Sequence, residues 1–498
     1  MTGRRGLDFA EPLIFERGSP GRRGTSTLAS PLGTWDASRE APSEFLRRGP
    51  VGLPEVGEPE AFRHFVRLSR WNFAIDLGMY PLGSCTMKYN PKVNEAAARM
   101  PGFAELHPYA PESWTQGALR LLYELAHGLA ELAGLHAVTL QPAAGAQGEL
   151  TGLMIIRAAH IARGGARTRI LIPDTAHGTN PASSALCGFE VVPLPTGGRG
   201  FVEASVVERA MDERVAAFMA TNPNTLGLFE SEIGRIAEIV HAKGGFVYCD
   251  GANMNALLGK VRPGDMGVDV MQYNLHKTFT TPHGGGGPGA GPVAVTKALE
   301  PFLPKPVVAK TGDVYRFEFD RPKSIGRMRS FCGNFGVLVR AFTYLREMGI
   351  DGLTRVAEMA VLNANYLRVN LRDDFQLAFD GPCMHEAVFS DKKQKASGAT
   401  TMDIAKRLID FGFHPPTIYF PLVVHGALMI EPTETETKET LDEFIAAMRE
   451  IARECRESPD VVKGAPHHTA LGRLDEVQAA RRPVLRWKRE CEEKPRPR

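Results

Sequence analysis

A lysine that follows an apolar run is the first residue of this chain that could do covalent chemistry. Lys277 lies in a polar turn directly after the strand-like run VDVMQYN at 268–274. A lysine placed there can be partly desolvated, and its neutral amine can then form an imine with a carbonyl compound. An isolated lysine after a strand is usually an ordinary surface residue, so its neighbours must decide between the two interpretations.

A carboxylate at the end of another apolar run gives Lys277 a chemical context. Asp250 closes the run GFVYCD at 245–250, twenty-seven positions before Lys277, with one helix-sized connection between them. A pyridine ring acts as an electron sink while its nitrogen is protonated, and a buried carboxylate facing that nitrogen supplies the pairing charge. A pyridoxal 5′-phosphate (PLP) site needs this arrangement. Taken alone, an aspartate in this position is more often a helix N-cap or a turn residue.

Two further segments could complete such a site. His177 follows another strand-like run, within PDTAHGTNPAS, and its imidazole could lie over a flat cofactor ring, although a hydrogen-bonded loop histidine is the alternative. The segment AAGAQGE at 143–149 opens a helix with small residues, so its free backbone amides could receive a phosphate. An ordinary turn rich in glycine and alanine is the alternative there.

Dinucleotide and metal motifs give no support for a different site. Gly284, Gly286 and Gly289 spell G-x-G-x-x-G, but they follow the lysine turn and not a strand, and Pro288 and Pro292 prevent a helix from beginning there. The sequence contains no GK[ST] phosphate loop, no HExxH and no comparable spacing of metal ligands. We therefore expect no metal.

The elements that would position these residues alternate between helix and strand. Between about 118 and 295, strand-sized apolar runs are separated by helix-sized segments. This alternation predicts an α/β fold with a mostly parallel central sheet, in which ligands bind beyond the carboxyl ends of the strands. After about residue 335, a long helical stretch and short strands predict a smaller α+β domain.

The chain is long enough for more than one core. We predict an N-terminal arm and extension (1–75), a large cofactor-binding domain (76–335), a small C-terminal domain (336–460) and a C-terminal tail (461–498). The polar cluster GSCTMKYNP at 83–91 could line a site or an interface, or could be a solvated turn.

Composition narrows the functional class. The 498 residues carry a formal net charge of only +2, so the chain as a whole has no electrostatic signature of nucleic-acid binding. Seven cysteines without short paired spacings favour a reducing compartment and hence a cytoplasmic protein. No apolar run approaches the length of a membrane span. Acidic residues in the Arg-rich N-terminus favour an extended arm over a transit peptide.

Long motifs from one end of the chain to the other resemble the glycine decarboxylase P-protein, in particular the second subunit of its two-subunit form. They are PLGSCTMKYNPK, LQPAAGAQGE, PDTAHGTNPAS, CDGANMNA and NLHKTFTTPHGGGGPGAGPV. The resemblance implies a type I PLP-dependent, aminotransferase-like fold. It also implies roles for seven residues: Lys277 as the Schiff-base lysine, Asp250 at the pyridine nitrogen, His177 on the ring, Ala252 behind the ring, and Gly145, Ala146 and His276 near the phosphate.

The same resemblance implies an activity and its partners. The expected reaction is the PLP-dependent decarboxylation of glycine, with release of CO2 and transfer of the aminomethyl group to the lipoyl cofactor of H-protein in the glycine cleavage system. The expected enzyme is thus a decarboxylating, aminomethyl-transferring glycine dehydrogenase, an oxidoreductase. A catalytically silent first subunit is expected as partner, with two copies of each subunit.

Other interpretations are open at this point. Another type I PLP enzyme, such as an aminotransferase or a cysteine desulfurase, would share the fold, and a desulfurase needs a mobile nucleophilic cysteine, for which Cys332 is the candidate. A non-catalytic partner subunit that kept the fold is a third possibility. The presence of Lys277, Asp250 and His177 together argues against it.

Overall fold

The computed structural model of the protein describes residues 10–24, 31, 33, 36–49, 51–284 and 289–486. Its α-helices, in chain order, are α1 (Ala37–Glu40), α2 (Glu58–Ser69), α3 (Lys92–Ala98), α4 (Pro101–Ala104), α5 (Gln116–Ala133), α6 (Gly145–Ala162), α7 (Thr179–Leu186), α8 (Ala204–Ala210), α9 (Ile233–Ala242), α10 (Phe335–Leu371), α11 (Thr401–Asp410), α12 (Lys438–Glu457), α13 (Pro459–Gly464) and α14 (Glu476–Arg481).

The strands form three sheets. In chain order they are β1 (Ala137–Thr139), β2 (Arg169–Pro173), β3 (Glu190–Leu194), β4 (Val215–Thr221), β5 (Phe246–Gly251), β6 (Val270–Tyr273), β7 (Val293–Val295), β8 (Val307–Thr311), β9 (Val314–Glu318), β10 (Gln376–Leu377), β11 (Ala387–Ser390), β12 (Thr417–Ile418) and β13 (Ala427–Ile430). The strands β8 and β9 form a separate hairpin.

The central sheet confirms the α/β prediction. Its seven strands lie in the order β1-β7-β6-β5-β4-β2-β3, and the pairs from β3 to β6 are parallel, while β7 is antiparallel to both of its neighbours. Every residue of β4 and β5 is buried, because α6 packs on one face of the sheet and α5 and α9 on the other. Strands covered on both faces read as continuous apolar runs, as they do in this sequence.

The register of the parallel strands brings the predicted site together. Asp250 in β5 lies beside Thr221 of β4 and Gln272 of β6. The turn that carries Lys277 leaves the same edge just after β6. Carboxyl ends of neighbouring parallel strands therefore place the aspartate and the lysine at one edge of the sheet, as expected for an open α/β sheet.

A second sheet lies in the C-terminal part, in the order β10-β11-β13-β12, and all of its pairs are antiparallel. Its apolar face packs against the second half of α10 and against α11 and α12. The helix α10 is interrupted at Gly349, whose φ of 58° is readily adopted only by glycine. The antiparallel sheet and its helices match the predicted α+β character.

The chain divides into two compact units. One comprises Ala74–Gly464, and the described residues of Met1–Phe73 and Ala465–Arg498 make up the other. Because Ala74–Gly464 is a single unit, the predicted boundary at 335/336 stays a prediction, and parts of the predicted arm and tail lie outside the described residues. Over the described ranges, no helix is long and apolar enough to cross a membrane.

Candidate active site

Lys277 lies in a short turn at the carboxyl edge of the central sheet. Its backbone amide donates to the carbonyl of Asn274 at 3.0 Å, and the residue is half-buried. Its positive charge lowers the pKa of four nearby histidines, His177, His276, His283 and His385, in each case after a larger effect of burial. Lys277 is thus close to His177 and His276, which the sequence analysis predicted as site residues, and to His283 and His385, which it did not.

Asp250 is buried and is surrounded by neutral donors. The residue is 3% exposed. Asn180 Nδ2 donates to one carboxylate oxygen at 3.0 Å. The backbone amide of Ala252 donates to the other oxygen at 3.0 Å, and the side-chain amide of Gln272 also donates to that second oxygen. No cationic side chain in the described ranges forms an ion pair with this carboxylate. A buried carboxylate with only neutral partners suits a protonated ring nitrogen better than it suits a turn.

A second buried acid, Glu149 on α6, lies close to Asp250. One of its carboxyl oxygens lies 2.8 Å from Thr179 Oγ1, and the other lies 3.3 Å from Ser183 Oγ. Burial, followed by repulsion from Asp250, raises the pKa of Glu149 to about 7. The sequence analysis included Glu149 only as the last residue of the segment AAGAQGE at 143–149 and predicted no role for its carboxylate.

We predict that Glu149→Gln changes the pH dependence of stability. The native pKa of about 7 lies above the ordinary value of 4.5, so the native state loses stability as pH rises from about 4.5 to about 7. The full loss in the free energy of unfolding is about 3 kcal/mol, because each pKa unit between the native and the unfolded state corresponds to about 1.4 kcal/mol. The uncharged amide should remove most of this loss. Chemical unfolding at several pH values measures it, with the exposed Glu208→Gln on α8 as control. Parallel pH curves for Glu149→Gln and the native chain would contradict the prediction.

His177 lies at the start of α7, on the same edge of the sheet. Its Nδ1 lies 2.8 Å from the hydroxyl oxygen of Thr179 and 3.2 Å from the backbone nitrogen of the same residue. The residue is exposed, yet its ring is deep enough for burial to lower its pKa, and the charge of Lys277 lowers it further. A neutral imidazole beside Lys277 can pack on a flat ring as an aromatic surface.

We expect the aromatic ring of His177 to matter more than its nitrogens for cofactor affinity. His177→Phe should bind PLP within a fewfold of the native affinity, whereas His177→Ala should bind it roughly two- to tenfold more weakly, the effect of losing one stacked ring. A cofactor titration followed by absorbance measures both. If Phe and Ala weaken binding equally, the histidine acts through a hydrogen bond and not through stacking.

The structure also places the predicted phosphate residues. Gly145 is the first residue of α6, and the preceding Ala144 gives no side-chain cap, so backbone amides of the first turn are open to an anion. A Cβ on Gly145 would lie 2.0 Å from Asn274 Oδ1, so only glycine allows this close approach to the lysine turn. Ala146 is exposed, and Ala252 is buried next to Asp250.

His276 lies beside His283, with ring centroids 5.3 Å apart and the planes near perpendicular. Burial and the charge of Lys277 lower the pKa of His276 to about 3 and that of His283 to about 4. His276 Nδ1, His283 Nε2 and the hydroxyls of Thr278 and Thr281 are buried without a hydrogen-bond partner in the part of the chain that the structure describes. Buried polar atoms are normally satisfied, so this group is short of a partner.

Cys332 does not fit the role that a desulfurase would require. Burial raises the pKa of its thiol to about 11, so the thiol is protonated at neutral pH. A nucleophilic cysteine needs a lowered pKa and a thiolate.

Two protein-family models match parts of this chain. Residues 153–314 match "Aminotransferase class-V", and residues 356–468 match "Glycine dehydrogenase, C-terminal domain". The chain is 58% identical over 480 residues to a probable glycine dehydrogenase (decarboxylating) subunit 2 of Halalkalibacterium halodurans, with coverage of 96% of this chain and 98% of the relative. A relative of the same name in Listeria innocua is 57% identical over 485 residues, covering 97% and 99%.

The chain belongs to the glycine dehydrogenase (decarboxylating) subunit 2 family. Its fold is similar to a crystal structure of the glycine decarboxylase P-protein of the glycine cleavage system in inhibitor-bound form, with TM-score 0.70, 24% identity, and coverage of 83% of this chain and 94% of that one. It is also similar to TDC from Oryza sativa with PLP and tryptamine, with TM-score 0.64, 14% identity, and coverage of 82% and 91%. The family and the type I PLP fold implied by the sequence are confirmed.

The residues at the carboxyl edge fit PLP. The first turn of α6 offers open backbone amides beside hydroxyls and imidazole nitrogens of the lysine turn that have no hydrogen-bond partner among the described residues, a donor set suited to a phosphate. Asp250 offers a buried carboxylate that forms no ion pair with any described side chain, and Lys277 offers an amine near the same strand ends. The donor chemistry therefore matches the phosphate, the ring nitrogen and the aldehyde of the cofactor.

Proposed function

We propose that this chain binds PLP on Lys277, decarboxylates glycine, and passes the aminomethyl group to the lipoyl cofactor of H-protein. The observation that carries the proposal is the 58% identity, over 96% of this chain, to a relative named as a probable glycine dehydrogenase (decarboxylating) subunit 2, in a chain that also has Lys277 and Asp250 at adjacent strand ends. The enzyme class is then the aminomethyl-transferring, decarboxylating glycine dehydrogenase, an oxidoreductase.

In this proposal the chain's own residues prepare and position the reaction. When bound, PLP supplies a protonated ring that takes up the negative charge left at the α carbon as CO2 departs. Asp250, held by Asn180 and the Ala252 amide, keeps the proton on the ring nitrogen. This stabilisation acts on the transition state more than on bound glycine, so it raises the rate.

The remaining site residues would hold the cofactor in place. His177 is proposed to pack on the ring and Ala252 to lie behind it. Gly145, Ala146 and His276 are proposed to lie around the phosphate, supported by the open first turn of α6 and by His276 Nδ1, which has no hydrogen-bond partner among the described residues. The large domain (76–335) would carry all of these residues, and the small domain (336–460) would cover them.

The proposal includes partners and a location. The relatives' name, subunit 2, supports a separate first subunit as partner, and we propose two copies of each in the complex. Lipoylated H-protein is the proposed acceptor. The six described cysteines are free, which agrees with a reducing compartment such as the cytoplasm.

The experiment is glycine-dependent exchange of labelled CO2, measured on the chain alone and after adding the first subunit and H-protein in turn. We expect weak exchange from the chain alone and full exchange from the complete mixture. Full exchange by the isolated chain would contradict the two-subunit proposal. Turnover of free cysteine or of a 2-oxo acid in place of glycine would overturn the proposed reaction in favour of another PLP enzyme.

A further inference from the structure

A buried acid, a hydroxyl group and an imidazole lie in line at the carboxyl edge of the central sheet. Oε1 of Glu149 lies 2.8 Å from Thr179 Oγ1, and the same hydroxyl oxygen lies 2.8 Å from Nδ1 of His177. Glu149 belongs to α6 and is 4% exposed, whereas His177 is exposed just before α7. These three side chains are called the triad below. Thr179 joins the buried acid to the imidazole that the proposed function places on the cofactor ring.

The two contacts of 2.8 Å in the triad need two protons. Polar oxygen and nitrogen atoms lie this close favourably only when a hydrogen is between them. The hydroxyl of Thr179 has one hydrogen and can therefore fill one of the contacts. The other proton must come from an end of the triad, either from a neutral carboxyl group on Glu149 or from Nδ1 of His177.

A backbone amide favours the carboxyl group as the source of that proton. The backbone nitrogen of Thr179 lies 3.2 Å from the same Nδ1. Thr179 is the first residue of α7, so its N–H has no intrahelical partner, and a backbone N–H can only donate. It forms a hydrogen bond with Nδ1 only if that nitrogen carries no proton. With Nδ1 as acceptor, the ring proton is on Nε2 and the second proton of the triad is on Glu149.

The surroundings of Glu149 also favour a neutral carboxyl group. Burial, followed by repulsion from Asp250, raises its pKa to about 7. Ser183 Oγ lies 3.3 Å from the other carboxyl oxygen, which can accept a hydrogen bond while Oε1 carries the proton. Tyr248 is a further titratable group beside Glu149, and burial raises the pKa of its phenol, so it stays neutral.

At the other end of the triad, His177 faces Asp250 and Lys277, and its ring lies edge-on to Phe420 with centroids 5.8 Å apart. Burial is the first cause that lowers the pKa of His177, and the charge of Lys277 is the second. The first cause remains when the lysine amine is bound in an imine. The ring is therefore neutral near pH 7 with and without the cofactor.

We propose that Glu149 and Thr179 are positioning residues for His177: the neutral carboxyl group donates to Thr179, the hydroxyl donates to Nδ1, and the imidazole is held neutral with its proton on Nε2. This arrangement needs neither cofactor nor substrate. Its use rests on the proposed function, in which His177 packs on a protonated pyridine ring. A second positive charge on the imidazole would repel that ring, and donors directed at Nδ1 disfavour it.

The first measurement is nitrogen NMR of the full chain with isotope-labelled histidine, before PLP is added. Protonated and unprotonated ring nitrogens give separate signals, and the two signals of His177 are identified by their loss in His177→Gln. At mildly acidic pH we expect the proton on Nε2 and an acceptor signal from Nδ1. A proton on Nδ1 in the native chain would overturn the proposal.

Variants of Thr179 separate a positioning role from a structural one. Thr179→Val removes the hydroxyl group at nearly constant size, so Nδ1 loses a donor. The pKa of His177, read from the titration of its signals, should then rise by roughly 0.5 to 1, the effect expected of one lost hydrogen bond. Thr179→Ser keeps the hydroxyl group and should keep the native value. An unchanged pKa in Thr179→Val would overturn the proposal.

Glu149→Gln tests the other end of the triad. Its side-chain amide also donates to Thr179, so the proton of His177 should stay on Nε2. In the native chain the Nδ1 signal should change as Glu149 ionises near pH 7, because the hydroxyl of Thr179 then turns to the carboxylate. That change should be absent in Glu149→Gln. A proton on Nδ1 in this variant, or the same change near pH 7, would count against the triad.

Ser183→Ala is the matched control. It removes a hydroxyl group that faces the same carboxyl group but does not lie between Glu149 and His177. The tautomer and the pKa of His177 should stay native. If Ser183→Ala altered the signals of His177 as much as Thr179→Val does, the hydroxyl of Thr179 would have no positioning role and the proposal would fail.

The second measurement follows PLP binding to the assembled complex by absorbance, from neutral to mildly acidic pH. Relative to the native complex, Thr179→Val should lose affinity increasingly as the pH falls, up to roughly three- to tenfold, the ratio that corresponds to the rise in the pKa of His177. Thr179→Ser should follow the native complex. An affinity deficit that is equal at every pH would overturn the role of the triad in keeping the ring neutral. Native NMR signals without glycine-dependent CO2 exchange would overturn the proposed function and still support the triad.

Discussion

Lys277→Ala should fold, should lose the visible absorption of covalently attached PLP, and should lose CO2 exchange by roughly a thousandfold or more. Lys277 is the amine in the turn that follows β6, the strand paired with the end of β5 that carries Asp250, and removal of the group that would attach the cofactor removes most of the rate. Absorbance spectra and the exchange assay measure the two losses on one sample.

Lys297→Ala is the control for this variant. Lys297 is exposed and also follows a strand, β7. Because β7 is antiparallel to β6, Lys297 lies at the opposite edge of the sheet from Lys277, and its replacement leaves the site unchanged. Spectrum and activity should stay native. If Lys277→Ala kept the native spectrum, another lysine would hold the cofactor and the site assignment would fail.

Asp250→Asn should still bind PLP but should lose most of the decarboxylation rate. The amide keeps the size and some hydrogen bonds of the buried side chain, but it cannot hold a proton on the ring nitrogen. Losing one partner of a buried, hydrogen-bonded charge pair costs about 2–5 kcal/mol, which corresponds to a rate loss of roughly thirty- to several-thousandfold if it is felt in the transition state.

The steady-state rate and PLP affinity of Asp250→Asn should be measured beside those of Asp265→Asn, a change of the same chemistry at an exposed surface position. Near-native turnover by Asp250→Asn would reduce Asp250 to a strand-end turn residue, the alternative that the sequence left open.

The pattern of apolar runs in the sequence was enough to predict the central sheet and the edge at which its parallel strands end. The apolar runs that end at Asp250 and just before Lys277 are β5 and β6, and the rule for parallel sheets brings their carboxyl ends together. The antiparallel direction of β7 was not predicted, because a three-residue apolar strand carries no information about direction.

Hydrogen-bond partners that come from distant segments could not be predicted from local sequence patterns. Glu386 and Glu431 are each a single acid next to an apolar strand, and their proximity depends on the antiparallel register of β11 and β13. The hydrogen bonds from Ser84 to Glu386 and from Thr86 to Glu431 span more than three hundred residues. An acidic residue next to a mostly apolar strand was the available clue, and the two acids could be related to each other only once the strands were paired.

The G-x-G-x-x-G pattern in the glycine-rich segment includes a glycine that is required by local packing. Gly289 packs against His276, where a Cβ would lie 2.9 Å from Nδ1, so this glycine serves the lysine turn. Gly286 and Pro288 of the same motif lie outside the described residues.

The most direct test of the account is to reduce the PLP-loaded protein with borohydride and identify the labelled peptide by mass spectrometry. We predict that the pyridoxyl label is found on Lys277, within the peptide that follows β6. A label on any other lysine, or a native complex that carries no reducible PLP, would contradict the account.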